Sequence, residues 1–348
     1  MASNEPAWWY RDGPHWQASL LRPISHVYGV IAQRRYFNTK PYRSRLPVIC
    51  VGNFTAGGTG KTPMSLLIAD IIEAADHAPW FLSRGYGGRL DGQERIDPAR
   101  HAAADTGDEP LLLAGRAPTV ISRDRALGAE FIERQAPRNA VIIMDDGLQN
   151  ASLAKDLTIA IVDGNRGFGN GAVIPAGPLR AQLAFQVPLA DVIIINGTDG
   201  NRARQQLGEI SAAKNIPQLS AKTVPTGDMA WLKNAKVVAY AGVANPDRFF
   251  RLLESLGANI VERVAFNDHQ TLSNEAAEDL IARAANKGAT LVTTEKDFVR
   301  LAGLDRARVD LKARSKTLPI VLQMPGSERA ILAHRIAIAI AKRAEAAG

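Results

Sequence analysis

The sequence predicts an α/β fold: a mostly parallel sheet with helices on both faces, a smaller α/β domain at the C-terminal end, and an amphipathic helix at the N-terminal end. Three observations carry this. From Leu46 onward, apolar runs of strand length alternate with helical patterns, the order that buries a parallel sheet between helical layers. A glycine-rich loop joins the first of these runs to the first of these helices. The segment before Leu46 has a different character, aromatic and basic, with Glu5 and Asp12 as its only acids.

That first segment, residues 1–45, gathers Trp8, Trp9, Tyr10 and Trp16 with Arg11, Arg22, Arg34, Arg35, Lys40, Arg43 and Arg45. Trp16, Leu20, Leu21, Ile24, Val27, Tyr28 and Ile31 recur at helical spacing, and Pro23 is expected to kink or restart the helix. Such a helix either lies on an anionic membrane surface, through aromatic and arginine side chains, or packs on the protein's own core. Residues 46–225 form the first α/β unit, with strands expected at Pro47 to Val51, Trp80 to Leu82, Thr119 to Ser122, Ala140 to Met144, Leu157 to Val162 and Val192 to Ile195. Helices are expected at Pro63 to Ala74 and Arg125 to Gln135. Pro225 and Gly227 mark a boundary. Residues 226–348 then form the second unit, with strands at Val237 to Tyr240, Asn259 to Ala265, Thr290 to Thr294 and Pro319 to Leu322. Its helices are expected at Pro246 to Leu256 and Asn274 to Asn286.

An apolar share of 46% and a charged share of 22% are ordinary for a globular chain and exclude wholesale disorder or a membrane-embedded bundle. The net charge of +7 favours an anionic partner. No basic recognition helix or aromatic stacking motif accompanies it, so nucleic acid is not the expected partner. Cys50 is the only cysteine, which leaves no internal disulfide and no thiolate zinc site. Apolar stretches such as Val187 to Asn196 fall short of the roughly 18 residues that span a bilayer. The N-terminal segment does not read as a signal peptide, because Trp8, Trp9, Arg11, Asp12 and His15 interrupt any apolar core.

Between the first strand and helix stands Thr55-Ala56-Gly57-Gly58-Thr59-Gly60-Lys61-Thr62. Strand, glycine-rich loop and helix are the setting of a phosphate-binding P-loop. Glycines let backbone amides turn inward around phosphate oxygens; Lys61 then meets the β and γ phosphates of ATP and the Thr62 hydroxyl meets Mg2+. The first glycine of the Walker A pattern is replaced by Thr55, so the match is to GGTGKT. The fold is accordingly expected to be P-loop NTPase-like.

Asp145 and Asp146 close the run Ala140 to Met144, as strand-end carboxylates that hold magnesium do. Asp163 closes the next run, either facing the same crevice or capping a turn. Gly107-Asp108-Glu109-Pro110 opens a helix, where an aspartate can be the base for a hydroxyl or simply an N-cap. Arg84 in Ser83 to Arg89, and Arg125, are basic groups of the kind that clamp phosphate or anionic substrates.

Together with Val51-Gly52-Asn53, these blocks and FGNGAVIPAGPLR (Phe168 to Arg180), AGVANPDRFF (Ala241 to Phe250), FNDH (Phe266 to His269) and TTEKD (Thr293 to Asp297) resemble the tetraacyldisaccharide 4'-kinase family of lipid A synthesis. The resemblance implies that ATP phosphorylates the 4'-hydroxyl of an acylated glucosamine disaccharide 1-phosphate. It implies Asp108 as base, assisted by His269, Lys61 and Arg84; Glu109, Arg125, Asn170 and Arg180 at the substrate; and Thr62, Asp145 and Asp146 at magnesium. It also implies peripheral attachment to the cytoplasmic face of a Gram-negative inner membrane. Leu148, Asn150 and Ala181 stand where the family usually has phenylalanine, histidine and glutamate.

Two rival readings have their own signals. Asn196-Gly197-Thr198-Asp199 resembles a guanine-recognition motif without its lysine, which would make the chain a GTPase. A membrane-recruited nucleotide switch would use the same loop and arm but has no need of Asp108.

Overall fold

The computed structural model describes residues 5–11, 13, 15–197, 200–268, 270–301 and 305–347. Its strands are β1 (Val48–Asn53), β2 (Ala78–Ser83), β3 (Glu94–Arg95), β4 (Thr119–Ile121), β5 (Ala140–Asp145), β6 (Leu157–Asp163), β7 (Val192–Asn196), β8 (Gln218–Pro225), β9 (Lys236–Ala241), β10 (Asn259–Ala265), β11 (Thr290–Thr294), β12 (Ser315–Leu318) and β13 (Ile320–Gln323). Nine of them form one sheet in the order β13-β8-β7-β6-β1-β5-β2-β4-β3, parallel except at its two edges. The remaining four form a parallel sheet in the order β10-β9-β11-β12.

The central strands are buried on both faces, which is why they read as unbroken apolar runs. Within β1, Ile49 and Val51 pack with Met64 and Ile68 of the helix Lys61–Glu73, while Val48 and Cys50 face Ala129 and Ile132 of the helix Arg125–Gln135. Burial pushes the Cys50 thiol up to about 11, so it is an inert core side chain. Strand β1 lies between β5 and β6, and the chain builds the sheet outward from it in opposite directions. The crevice beyond the C-terminal ends of such strands is where an open α/β sheet binds its ligand.

The unit expected over 226–348 ends sooner than its pattern suggests. Strand β13 pairs antiparallel with β8, Ile320 opposite Pro225, and belongs to the large sheet. Leu322, Met324, Leu332, Ile336 and Ile340 complete the core beneath β1, so the closing helix Gly326–Ala347 also serves the first unit. Burial of that apolar face, more than proximity in sequence, decides where the chain end goes.

The N-terminal helix runs from Trp16 to Asn38 as one element through Pro23, without the expected restart. The carbonyl that Pro23 leaves without its helical donor, on Ser19, belongs to an exposed residue and can be hydrated. The helix packs inward through small residues: Ala18, Ser25 and Gly29 are buried, and the Ser25 hydroxyl accepts the Ala176 amide at 2.9 Å. Its large apolar residues Trp16, Leu20, Ile24, Val27 and Ile31 form an outward row, Trp16 and Leu20 being 71% and 70% exposed. No described helix is long and apolar enough to cross a membrane.

Candidate active site

The loop between β1 and the helix Lys61–Glu73 is drawn tight by side chains beneath it. Asn53 donates to the Thr59 hydroxyl at 3.2 Å, and Asn196, at the end of β7, donates to the Thr59 carbonyl at 3.0 Å. Gly60 sits at φ +102°, and a Cβ there would lie 2.7 Å from Asn196 Nδ2, so only glycine closes this turn. Thr55 replaces the usual glycine because its backbone is not left-handed; it bridges Leu179, and its carbonyl accepts from Arg180 Nε at 3.2 Å. Ala56 is tied to Pro178, and Gly57 and Gly58 form the outer turn.

Asn196 is thereby a support of the phosphate loop, and its Oδ1 accepts the Thr223 amide at 3.1 Å. A guanine-reading asparagine would face the ligand, which this one does not. Thr198 and Asp199 lie outside the described residues.

Lys61 is buried, with Nζ 3.9 Å from Asp146 Oδ1. Arg180 grips Asp146 with two bonds of 2.7 and 3.0 Å. Burial would raise this carboxyl, but Lys61 and Arg180 outweigh it and hold it well below the usual carboxylate range. Asp146 also adopts φ +52°, a conformation that costs a non-glycine residue roughly 1–3 kcal/mol and collects at functional sites. Beside it Asp145 accepts from Ser65 at 2.9 Å, and burial, then Glu109 and Asp146, push its pKa up to about 6.

The Thr62 hydroxyl is buried and finds no hydrogen-bond partner among the described residues. A hydroxyl orphaned beside two strand-end carboxylates fits magnesium, which takes one or two carboxylates and completes its shell with phosphate and water. Accordingly, no cluster of three or more His, Cys, Asp or Glu forms a protein cage among the described residues.

Asp108 and Glu109 begin the helix Asp108–Ala114, whose first turn lies close enough to this corner for the Glu109 charge to act on Lys61 and Asp145. The N-cap position itself is taken by Gly107, ahead of both acids. Both reach across to the second unit: Asp108 Oδ2 accepts from Arg300 Nη2, and Glu109 pairs with Lys296, on the short helix Glu295–Arg300. Burial opposes ionisation of Glu109, but Lys296 and Lys61 keep its pKa low. Sequence reasoning missed Arg300 and Lys296; TTEKD was noticed as a block without a role for its lysine, and Arg300 lies three residues beyond it.

Residues 17–337 match the family model for Tetraacyldisaccharide-1-P 4'-kinase. The chain belongs to the tetraacyldisaccharide-1-P 4'-kinase family. It is 44% identical over 343 residues to the tetraacyldisaccharide 4'-kinase of Bradyrhizobium sp. BTAi1, covering 97% of this chain and 96% of that one. With the enzyme of the same name from Methylorubrum extorquens PA1 it shares 47% over 310 residues, 88% and 92% of the two chains. The crystal structure of Aquifex aeolicus LpxK in complex with ATP has the same fold, with a TM-score of 0.72, 24% identity and coverage of 93% and 99%.

The other residues named for this 4'-kinase family fall in different places. Arg125 is buried and donates to the carbonyls of Ser122 and Asp145, at 2.6 and 3.2 Å, bracing the end of β5. Burial lowers its pKa to about 10. Asn170 spends its amide within its own loop, donating to Ala176 O and accepting the Ala172 amide. Asp163 caps its turn by accepting from Asn165 and Arg166. Arg84 is exposed, close enough to Arg125 for their charges to interact. His269 lies outside the described residues. Among the departures from the family pattern, Leu148 and Ala181 are core residues and Asn150 caps Ser152.

Asp145→Asn gives a prediction of its own. Folding raises this carboxyl from 3.8 to about 6, so its ionised form costs stability above about pH 6, and the cost vanishes below the unfolded value. The asparagine amide oxygen can still accept from Ser65, without the buried charge. The nucleotide-free variant should therefore melt higher than the wild type at about pH 8, with the gap closing as pH falls towards about 4. Calorimetry showing equal melting temperatures at the higher pH would rule out that cost.

Proposed function

We propose that the chain transfers the γ-phosphoryl group of ATP to the 4'-hydroxyl of a tetraacyldisaccharide 1-phosphate, in lipid A biosynthesis. The observation that carries the chemistry is the convergence, at one corner, of a buried P-loop lysine 3.9 Å from Asp146, the orphaned hydroxyl of the next residue, and Glu109 of the Asp108 helix, whose charge acts on Lys61 and Asp145. Phosphoryl transfer asks the protein mainly for positioning and charge stabilisation. Loop amides and Lys61 hold the triphosphate, and Asp108 accepts the proton of the attacking hydroxyl as its oxygen bonds to the γ-phosphorus and the bond from that phosphorus to the β,γ-bridging oxygen breaks, leaving ADP. His269, in the separate FNDH block, assists by orienting that carboxylate or sharing its proton, as the family resemblance implies. Thr62, Asp145 and Asp146 would hold magnesium, which would supply positive charge to offset that of the phosphates. Arg180 keeps Asp146 ionised, and Arg84 contributes from the rim. Glu109, Arg125 and Asn170 act on substrate through the elements they brace.

The acylated substrate resides in a membrane, and the outward row of the helix Trp16–Asn38 suits docking on an anionic cytoplasmic leaflet as a peripheral protein. Arginines on the same arm would meet lipid phosphates. Phosphorylation of the tetraacyldisaccharide by ATP and magnesium in mixed micelles tests the activity, and a protein that binds ATP but phosphorylates no lipid acceptor would leave only the switch reading. Replacing Leu20, Ile24 and Ile31 by serine should leave the melting temperature unchanged, since all three are exposed. Each forfeits on the order of 1.5 kcal/mol of membrane burial, so liposome binding should drop at least about 100-fold. Unaltered sedimentation with anionic vesicles would count against the docking face.

A further inference from the structure

The Asp108–Arg300 contact joins the two units at a buried point. Arg300 is 7% and Asp108 4% exposed. Arg300 Nη1 donates to Asp297 Oδ1 at 2.7 Å and to the Gly242 carbonyl at 2.6 Å, while Nη2 donates to Asp108. Asp297 is fixed in turn by the Thr294 hydroxyl at 2.6 Å. A Cβ on Gly242 would lie 3.0 Å from Asp297 Oδ1 and 3.3 Å from Arg300 Nη1, so the Gly242 backbone packs closely on this pair. A guanidinium anchored on its own unit by Asp297 and the Gly242 carbonyl has little freedom, and its planar fork transmits that order to the carboxylate it grips.

We propose that Arg300 is the positioning residue of the transfer's base, aiming the Asp108 carboxylate from the second unit so that the base is set only where the two units meet. This rests on Asp108 being the base. Arg300 belongs to neither the P-loop nor the magnesium corner, and its bonds to Asp297 and the Gly242 carbonyl are those of a structural arginine.

The charges around Asp108 give the inference a signature. From the Glu295–Arg300 helix come Arg300, Asp297 and Lys296; Glu109 is its neighbour in sequence; Asp268 acts on Arg300 and Lys296 from the loop before the helix Asn274–Lys287. The short helix before it carries Asp105, paired with Arg89, and the P-loop helix carries Lys61. Strands β2 and β4, also packed on this helix, carry no charge. His269 lies outside the described residues. Burial raises the Asp297 carboxyl despite Arg300, so one guanidinium is shared between two acids. Removing the cation should hinder ionisation of Asp108, and removing Asp297 should ease it.

The experiment is the pH profile of kcat at saturating ATP and magnesium, where bound metal keeps Asp145 ionised. In Arg300→Gln the acid limb should move up by about 1–3 pH units, and plateau turnover should fall roughly 10- to 100-fold through misplacement of the base. In Asp297→Asn the limb should move down. Arg300→Lys keeps the charge without the fork, so its limb should stay near the wild-type position while turnover still drops. A purely structural arginine would lower the melting temperature of all three variants and leave the limb where it was; that result overturns the proposal. Should Arg300→Gln not fold, the downward shift in Asp297→Asn and the split between limb and plateau in Arg300→Lys decide it. The base itself is checked separately in the residual turnover of Asp108→Asn. A surviving acid limb there removes Asp108 from its role, whereas a lost limb with no movement in the other variants removes only Arg300.

Discussion

Asp108→Ala is expected to lower turnover by about 10^2- to 10^4-fold, the range supplied by a well-placed general base, while ATP binding survives. The two effects separate because the glycine-rich loop and Lys61 hold the triphosphate, whereas Asp108 is gripped by Arg300, across the boundary between the units. Alanine also strips Arg300 of one acceptor, with its bonds to Asp297 and the Gly242 carbonyl unchanged. Some loss of stability is therefore expected on top of the catalytic defect. Asp108→Asn distinguishes the two, since an amide oxygen can still accept from the guanidinium but cannot take up the proton of a sugar hydroxyl. Both variants should be slow and only the alanine noticeably less stable. Turnover within about tenfold of the wild type in Asp108→Asn would mean that the hydroxyl loses its proton elsewhere. Steady-state kinetics with calorimetric titration of ATP gives both readings.

How far the sequence could be read depended on whether the information was local. The phosphate loop was legible because strand, glycines, lysine and threonine are adjacent and each answers a backbone requirement. The parallel sheet was legible because strands buried on both faces cannot alternate polar and apolar residues, as β1, β5 and β6 do not. Strand β13 was legible as a strand but not as a partner of β8, since nothing in four residues records which sheet edge they complete. The N-terminal helix shows the same limit. Its apolar spacing was plain, but the side that packs inward is the small one, Ala18, Ser25 and Gly29, which a hydrophobic count passes over. Within the site, Arg125 and Asn170 look like ligand-binding groups by residue type, and only the hydrogen bonds reveal that Arg125 braces the end of β5 and Asn170 its own loop. Arg300 illustrates the converse: it lies 192 positions from its partner Asp108, and no motif spacing can announce such a pair.

Lys61→Met should produce a loss of comparable size, on the order of 10^2- to 10^3-fold in turnover, as expected when a preorganised charge at the transferring phosphate is removed. Methionine preserves most of the buried stem, so the helix Lys61–Glu73 keeps its packing. Asp146 remains ionised because Arg180 still holds both of its oxygens. The folded state should thus tolerate the substitution, and affinity for ATP should weaken alongside turnover, because the same ammonium meets phosphate before and during transfer. Arg180 cannot substitute for the missing ammonium, because it is already committed to Asp146 and the Thr55 carbonyl. Lys61→Arg sharpens the test, since it restores the charge as a planar fork where the turn has room for a point charge. Recovery in the arginine variant would show that net charge suffices. Continued failure, with intact folding by calorimetry, would show that the loop demands an ammonium at the position the Gly60 turn sets.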